Sequence, residues 1–283
     1  AASGADKAAD CNLQALQKLL WAMGSMAIEK ALPQPSVFPN LRHLDLGQPV
    51  DPDWLAQLEH LRSLETLRIR IESVWLQPEA PEPMQLPLLA HLSSLEVCIG
   101  VESLVHLELA KLPVLSGLHL HGPEGRAALI TCAPAPQLQH ITCHLEHLSA
   151  DFSALPGLRS AIFDVRVQLD QAASIAAATA LTCLELQCWR SSGDQSAALQ
   201  LLKSLPPSVS CLCLTGVWPA DVAALVGELP DLTALDIYWW GDGKPPLPPV
   251  ETPFWSRLRA LSWEAGEDGG LKLPQVCPCL LVP

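Results

Sequence analysis

No apolar run in this 283-residue chain reaches the ~18–20 residues that a bilayer-crossing helix requires. Positive charge is scarce as well. Seventeen Lys and Arg stand against 30 Asp and Glu, a formal charge of −13, so a phosphate backbone would be repelled over most of the surface. Nucleic acid is therefore not an expected partner, whereas a protein with a basic surface is compatible with the charge. Reaction signatures are missing: there is no Gly-x-Ser-x-Gly, no His-Glu-x-x-His, no phosphate-cradling glycine loop and no dinucleotide fingerprint. Acids that fall on neighbouring strands, such as Asp164 and Glu185, are what so acidic a surface produces by chance. No catalysis and no cofactor are expected. The 10 cysteines lack the regular pairing of a disulfide scaffold, which favours a reducing intracellular compartment, cytoplasmic or organellar. The chain opens at Ala1 with neither a methionine nor a charged-plus-apolar leader, giving the expectation of a processed or truncated product.

What the chain does have is 49% apolar residues, arranged in a leucine frame that returns through most of its length. The frame is apolar-x-x-Leu-x-x-Leu-x-apolar. It runs Phe38, Leu41, Leu44, Leu46; Leu61, Leu64, Leu67, Ile69; Leu89, Leu92, Leu95, Val97; and Leu112, Leu115, Leu118, Leu120. It continues as Ala135, Leu138, Ile141, Cys143; Leu155, Leu158, Ala161, Phe163; and Ala178, Leu181, Leu184, Leu186. A weaker Val209, Leu212, Leu214 precedes Leu229, Leu232, Leu235, Ile237 and Trp255, Leu258, Leu261, Trp263. From Leu44 to Leu261 the third position recurs at steps of 23, 28, 23, 23, 20, 23, 28, 23 and 26 residues. A period of this size marks stacked units, none of which buries its apolar face alone.

Within a unit, Leu-x-x-Leu-x-Leu reads as a short strand whose last two leucines face one side while the residues between them face the other. The rest of each unit returns the chain to the next strand. Asp53–His60, Val101–Leu112, Gln171–Thr179, Ala197–Leu205 and Asp221–Leu229 have helical apolar spacing and good helix formers. Near-equal units place the strands side by side and parallel, with helices outside. The expected organisation is a capping helix segment over 1–34, a solenoid over 35–264 and a capping tail over 265–283. Two proline-rich insertions, Gln77–Pro87 and Gly241–Pro253, are expected to be extended, solvated loops.

With this frame the chain resembles the leucine-rich repeat superfamily over about Pro35 to Glu264. The resemblance implies an α/β solenoid, a horseshoe with a parallel inner sheet of about ten strands and outer helices. The irregular units are similar to the helix-backed repeats of F-box receptors and ribonuclease-inhibitor-like proteins. One departure is plain: Asn12 and Asn40 are the only asparagines, and neither follows a frame strand, so the family's buried asparagine ladder is absent. Helix hydrogen bonds, prolines or Cys188 are expected to close the loops instead. Residues 1–37 show no F-box.

Residues before, between and after the frame leucines are expected to line the binding face. In order they are Arg42, His43, Asp45; Glu65, Arg68, Arg70; Glu96, Cys98; His119, His121; and His140, Thr142, His144. Then come Asp164; Glu185, Gln187; Cys211, Cys213; Asp236, Tyr238; and Ser262, Glu264, with Trp240 on the same parity as Tyr238. His121 and His144 take one slot on adjacent strands, ~4.8 Å apart, and His119 shares their face. Imidazoles so placed are candidates for a zinc or copper ion or a pH response. No carboxylate or thiol with ligand spacing completes the set, so polar contact residues and no metal are expected. Cys183 and Cys211 likewise share a slot within disulfide reach, and reduced thiols are expected there. Aromatics gather late, at Trp218, Tyr238, Trp239, Trp240, Trp255 and Trp263; Tyr238 and Trp240 are candidate partner anchors and Trp263 a core residue.

The leading expectation is a non-catalytic protein-binding scaffold that belongs to a larger assembly. Two alternatives stand beside it: a substrate receptor of an F-box-type ubiquitin ligase whose recruiting domain lies outside this chain, and a metal- or redox-responsive sensor using the His and Cys clusters.

Overall fold

A computed structural model describes residues 40–49, 55–71, 86–100, 104–122, 127–131, 134–145, 147–164, 168–169, 172–188, 196–218, 221–239, 247–249 and 252–265. The expected cap over 1–34, and the tail beyond Ala265, lie outside them.

The first half of the leucine frame is a turn and the second half a strand. In the turn, the N–H of the second frame residue donates to the carbonyl of the first. This pairs Leu64 with Leu61 at 3.1 Å, Leu92 with Leu89 at 3.2 Å, Leu115 with Leu112 at 3.1 Å and Leu181 with Ala178 at 2.9 Å. The three-residue spacing follows from that bond, as an i to i+3 turn brings both apolar side chains to one side. The weaker unit is completed by Pro206, which is buried and accepts from the Val209 N–H at 3.2 Å. Proline therefore fills the frame slot that lacks an aliphatic residue.

The described residues form fourteen strands, in chain order. The first seven are β1 His43–Pro49, β2 Thr66–Ile71, β3 Ser94–Ile99, β4 Leu104–Glu108, β5 Gly117–His121, β6 Ala127–Thr131 and β7 His140–His144. The rest are β8 His147–Ala150, β9 Ser160–Asp164, β10 Gln168–Leu169, β11 Cys183–Cys188, β12 Cys211–Gly216, β13 Ala234–Trp239 and β14 Ala260–Ala265. Ten of them form one sheet in the order β1-β2-β3-β5-β7-β9-β11-β12-β13-β14, every described pair parallel. A sheet laid down in sequence order with each return on one side is a solenoid.

The register is the one the frame demands. Leu44, Leu67, Leu95, Leu118, Ile141, Ala161, Leu184, Leu212, Leu235 and Leu261 pair neighbour to neighbour as one column. Leu67, Leu95, Leu118, Leu184 and Leu212 are wholly buried; Leu261, on the last strand, is half-buried. Burying one such side chain is worth roughly 1.5–3 kcal/mol, and a column of them fixes which face of every strand is inside. Phe152 and Phe163 meet edge to face in this core at 5.9 Å.

The return side matches the expected helices only in part. Among the described residues the complete α-helices come late, as α1 Ser196–Lys203, α2 Asp221–Glu228 and the single turn α3 Phe254–Arg257, the first two at expected helices; Leu55 and Ala56 of the first expected helix are also α-helical. The expected helix over Val101–Leu112 is instead strand β4 followed by a 3-10 turn at Leu109–Lys111. Successive returns contribute β6, β8 and β10, giving a second parallel sheet in the order β10-β8-β6-β4. Its sequence signal is a two-residue alternation, with Leu107 and Leu109 buried around half-buried Glu108. A strand also crosses the layer with fewer residues than a helix, ~3.3 Å against ~1.5 Å per residue. The shortest step, the 20 residues from Ile141 to Ala161, carries β8. Gln171–Thr179 closes as a 3-10 helix over Ala172–Ala177, and Gln57–His60 does the same within the first expected helix.

In place of an asparagine ladder, a column of carbonyls runs along the entry side of the large sheet. The carbonyl of Ser93 accepts the N–H of Ser116 at 2.8 Å and of Gly117 at 3.0 Å; Arg159 accepts those of Thr182 and Cys183 at 2.9 and 3.0 Å. Hydroxyls add a third bond at several steps. Ser93 donates to Glu65, Ser116 to Ser93, Thr182 to Arg159, Ser210 to Thr182 and Thr233 to Ser210, at 3.0 to 3.3 Å. In five of the ten units the slot two residues before the marker residue is thus a serine or threonine whose hydroxyl extends the ladder.

The second insertion is only partly a solvated loop. Pro248 is buried beside Gly227 of α2, and the Trp255 indole N–H donates to the carbonyls of Pro248 and Pro249 at 3.2 and 2.9 Å. Arg257 Nη2 reaches the carbonyls of Gly227 and Leu229 at 3.3 and 3.2 Å, satisfying the end of α2. Of the first insertion only Leu86 and Pro87 are described. Among the described residues, no helix is long and apolar enough to cross a membrane.

Candidate functional site

Alternation along the ten frame strands turns three columns of side chains away from the core. The first reads His43, Thr66, Ser94, Gly117, His140, Ser160, Cys183, Cys211, Ala234 and Ala260. The second reads Asp45, Arg68, Glu96, His119, Thr142, Ile162, Glu185, Cys213, Asp236 and Ser262. In the third, Arg70, Cys98, His121 and His144 are aligned in turn, as are Asp164, Gln187, Thr215, Tyr238 and Glu264. The expected contact residues on these strands therefore share one face. Arg42 and Glu65 sit one residue before their strands, where the Glu65 N–H donates to the Arg42 carbonyl at 2.8 Å. Trp240 and the side chain of Glu264 lie outside the described residues.

Charges on β1 to β3 are matched in pairs. Arg42 lies 3.4 Å from Glu65, and Arg68 lies 3.2 Å from Glu96 and 3.7 Å from Asp45. Glu96 beside it raises the Arg68 guanidinium above its usual value. Glu96 also reaches His121 Nε2 at 3.9 Å and accepts from Cys98 Sγ at 3.9 Å. A depression of about 430 Å3 opens at the ends of β1, β2, β3 and β5, walled by Arg68, Arg70, Cys98 and His121.

The middle of the face is a stack of imidazoles. His121 and His144 rings are 5.1 Å apart with planes 22° from parallel; His119 and His121 are 6.5 Å apart and nearly coplanar in tilt, at 6°. Burial lowers the pKa of His121, and His144 nearby lowers it further. Burial likewise lowers that of His144, against the opposing pull of Asp164 and Glu185. Lone pairs of imidazole lie in the ring plane, so face-to-face rings aim them side by side and not at a common point. Among the described residues, no three of His, Cys, Asp or Glu are arranged to hold a metal ion.

Two expected face residues are covered. Thr142 is only 9% exposed, and Asp164 only 3%. Thr142 is a short side chain registered between His119 and Ile162 on neighbouring strands, with His140 and His144 on its own strand. At that exposure it offers a partner little surface.

From β9 to β14 the character changes. The outward columns carry Asp164, Glu185, Asp236 and Glu264, and no Lys, Arg or His. Gln187 Nε2 donates to Glu185 at 2.6 Å, which orients the carboxylate. Tyr238 is 37% exposed, while Trp218 and Trp255 are buried. Trp263 pairs with Ile237 through its backbone in the expected core column.

Cysteines punctuate the same end. Cys183 and Cys211 face each other across β11 and β12, and Cys213 sits opposite Glu185. A hydrogen bond from Cys211 pulls the Cys183 thiol down to about 7, while the same bond pushes Cys211 up. Burial pushes Cys213 up to about 11 and Cys143, in its apolar frame slot, up to about 12. Cys98, Cys143, Cys183, Cys211 and Cys213 are all free thiols.

No protein-family model and no curated protein matches this chain. Among solved structures it is similar to an internalin from Listeria monocytogenes, at 14% identity and a TM-score of 0.38, over 81% of this chain and 69% of that one. The solenoid assignment stands on the register of the ten strands and does not depend on that likeness.

Proposed function

We propose that the protein is a non-catalytic, protein-binding scaffold of the leucine-rich-repeat type, whose outward sheet face holds a partner through a basic segment laid across β9 to β14. One observation carries this reading: those strands present Glu185 and Asp236, with Glu264 in the same outward register, and no cation in any of the three outward columns. On β1 to β3, by contrast, Arg68 already has Glu96 and Asp45 as counter-ions. A lysine- or arginine-rich segment would complement these carboxylates between the exposed Arg159 and Arg259, which precede β9 and β14, and Tyr238 gives it an aromatic surface to lie against. Service as one subunit of a larger assembly fits a rigid face of this length.

Titration with an unstructured lysine- and arginine-rich peptide tests the proposal. Binding should weaken with added salt, and Glu185→Gln with Asp236→Asn should lower affinity about tenfold. Equal affinity in parent and double variant, or equal binding of a glutamate-rich peptide, would sink it.

A further inference from the structure

We propose that Cys183 and Cys211 form a dithiol site which a hydroperoxide converts, reversibly, to a disulfide bridging β11 and β12. The two residues are directly opposed in the parallel register. Neighbouring strands lie ~4.8 Å apart, inside the Cα separation of roughly 4.4–6.8 Å that a disulfide spans. Both side chains are half-buried free thiols on the outward face, so a small oxidant reaches them without unfolding the sheet. The Cys211 thiol lies near enough to Cys183 to lower its pKa.

The environment divides the labour between them. Ser160 on β9 is registered opposite Cys183 on its other side, and its hydroxyl also lowers the Cys183 pKa. These neighbours pull the Cys183 thiol down to about 7, which suits it to be the attacking thiolate, while Cys211, pushed up, is the resolving thiol. Cys213, one column along, is pushed up to about 11 by burial and by Glu185, and lies 3.9 Å from the Thr215 hydroxyl.

The step balances. The Cys183 thiolate attacks one peroxide oxygen; the S–O bond forms as the O–O bond breaks, and the alkoxide or hydroxide takes up a proton. Cys211 sulfur then attacks Cys183 sulfur, the S–S bond forms, the S–O bond breaks, and water leaves with the Cys211 proton. Two thiols and a hydroperoxide become a disulfide, an alcohol and water. Two equivalents of an external thiol reverse it by exchange.

The test is hydrogen peroxide treatment of the reduced full chain, followed by alkylation and peptide mapping. A Cys183–Cys211 disulfide should be the first bridge, removed by dithiothreitol. In Cys211→Ser, Cys183 should instead accumulate as a sulfenic acid trapped by dimedone. Near neutral pH, iodoacetamide should label Cys183 about tenfold faster than Cys213. Mapping that finds Cys183 and Cys211 both alkylated while other cysteines pair, or labelling of Cys213 as fast as Cys183, would overturn the proposal. The site stands or falls independently of whether a basic partner docks beside it.

Discussion

The imidazoles of His121 and His144, one strand apart on β5 and β7, stack at 5.1 Å, and burial lowers the pKa of both. A base whose folded pKa is depressed costs stability once the unfolded chain binds the proton first. Stability should therefore be at its plateau above the ordinary histidine value of about 6.5, decline as pH falls from there toward the lower folded values, and level off below them. Thermal melts between about pH 7.5 and about pH 5 should show this decline, and His121→Gln with His144→Gln should flatten it. A pH profile unchanged by the double substitution would contradict the assignment.

Ser116 and its four counterparts each tie their unit to the previous one through a hydroxyl bond to a carbonyl that already accepts two N–H groups. Ser116→Ala keeps the backbone bonds and removes the third. The cost should be about 0.5–1.5 kcal/mol in urea unfolding. Loss of several kcal/mol would mean that the hydroxyl holds more than the ladder shows.

Leu118 and Arg68 should separate core from face. Leu118 is wholly buried in the marker column, so Leu118→Ala should cost about 2–5 kcal/mol. Arg68 makes two ion pairs, yet its side chain is 51% exposed, so Arg68→Ala should change stability by less than about 1 kcal/mol. Denaturant midpoints of the two variants decide the matter.

Gly157 sits where the turn of one unit rests on the turn before it, and a methyl placed there would overlap the backbone carbonyl of Pro136. Backbone on backbone cannot yield by a rotamer change. Gly157→Ala should cost about 1–3 kcal/mol, read as a lower thermal midpoint.

Much of the large sheet was legible in the leucine frame, because a column of buried residues repeats with a period that the eye can count. Leu44, Leu67, Leu95 and Leu118 align as their spacing requires. The adjacency of His121 with His144 and of Cys183 with Cys211 was legible for the same reason, since equal slots on neighbouring coils become neighbours. The return side was not. In Val101–Leu112 the helix-forming Leu, Glu, Ala and Lys mask a short two-residue alternation that only pairing with β6 makes a strand. Pro206 was hidden in its frame slot because proline is read as a breaker before it is read as apolar surface. The burial of Thr142 and Asp164 depends on the sizes of neighbours in other units, which no single stretch of sequence contains. The serine and threonine slot did carry a signal, visible once the position two before each marker leucine is aligned.

Carboxyl labelling with a carbodiimide and an amine, with and without a saturating lysine- and arginine-rich peptide, probes most directly where a partner sits. Glu185 and Asp236 should lose reactivity when the peptide is added, while Asp221 and Glu228 on α2 label as before. Protection confined to α2, or no protection of Glu185 and Asp236 under saturating peptide, would contradict docking on the outward face of the sheet.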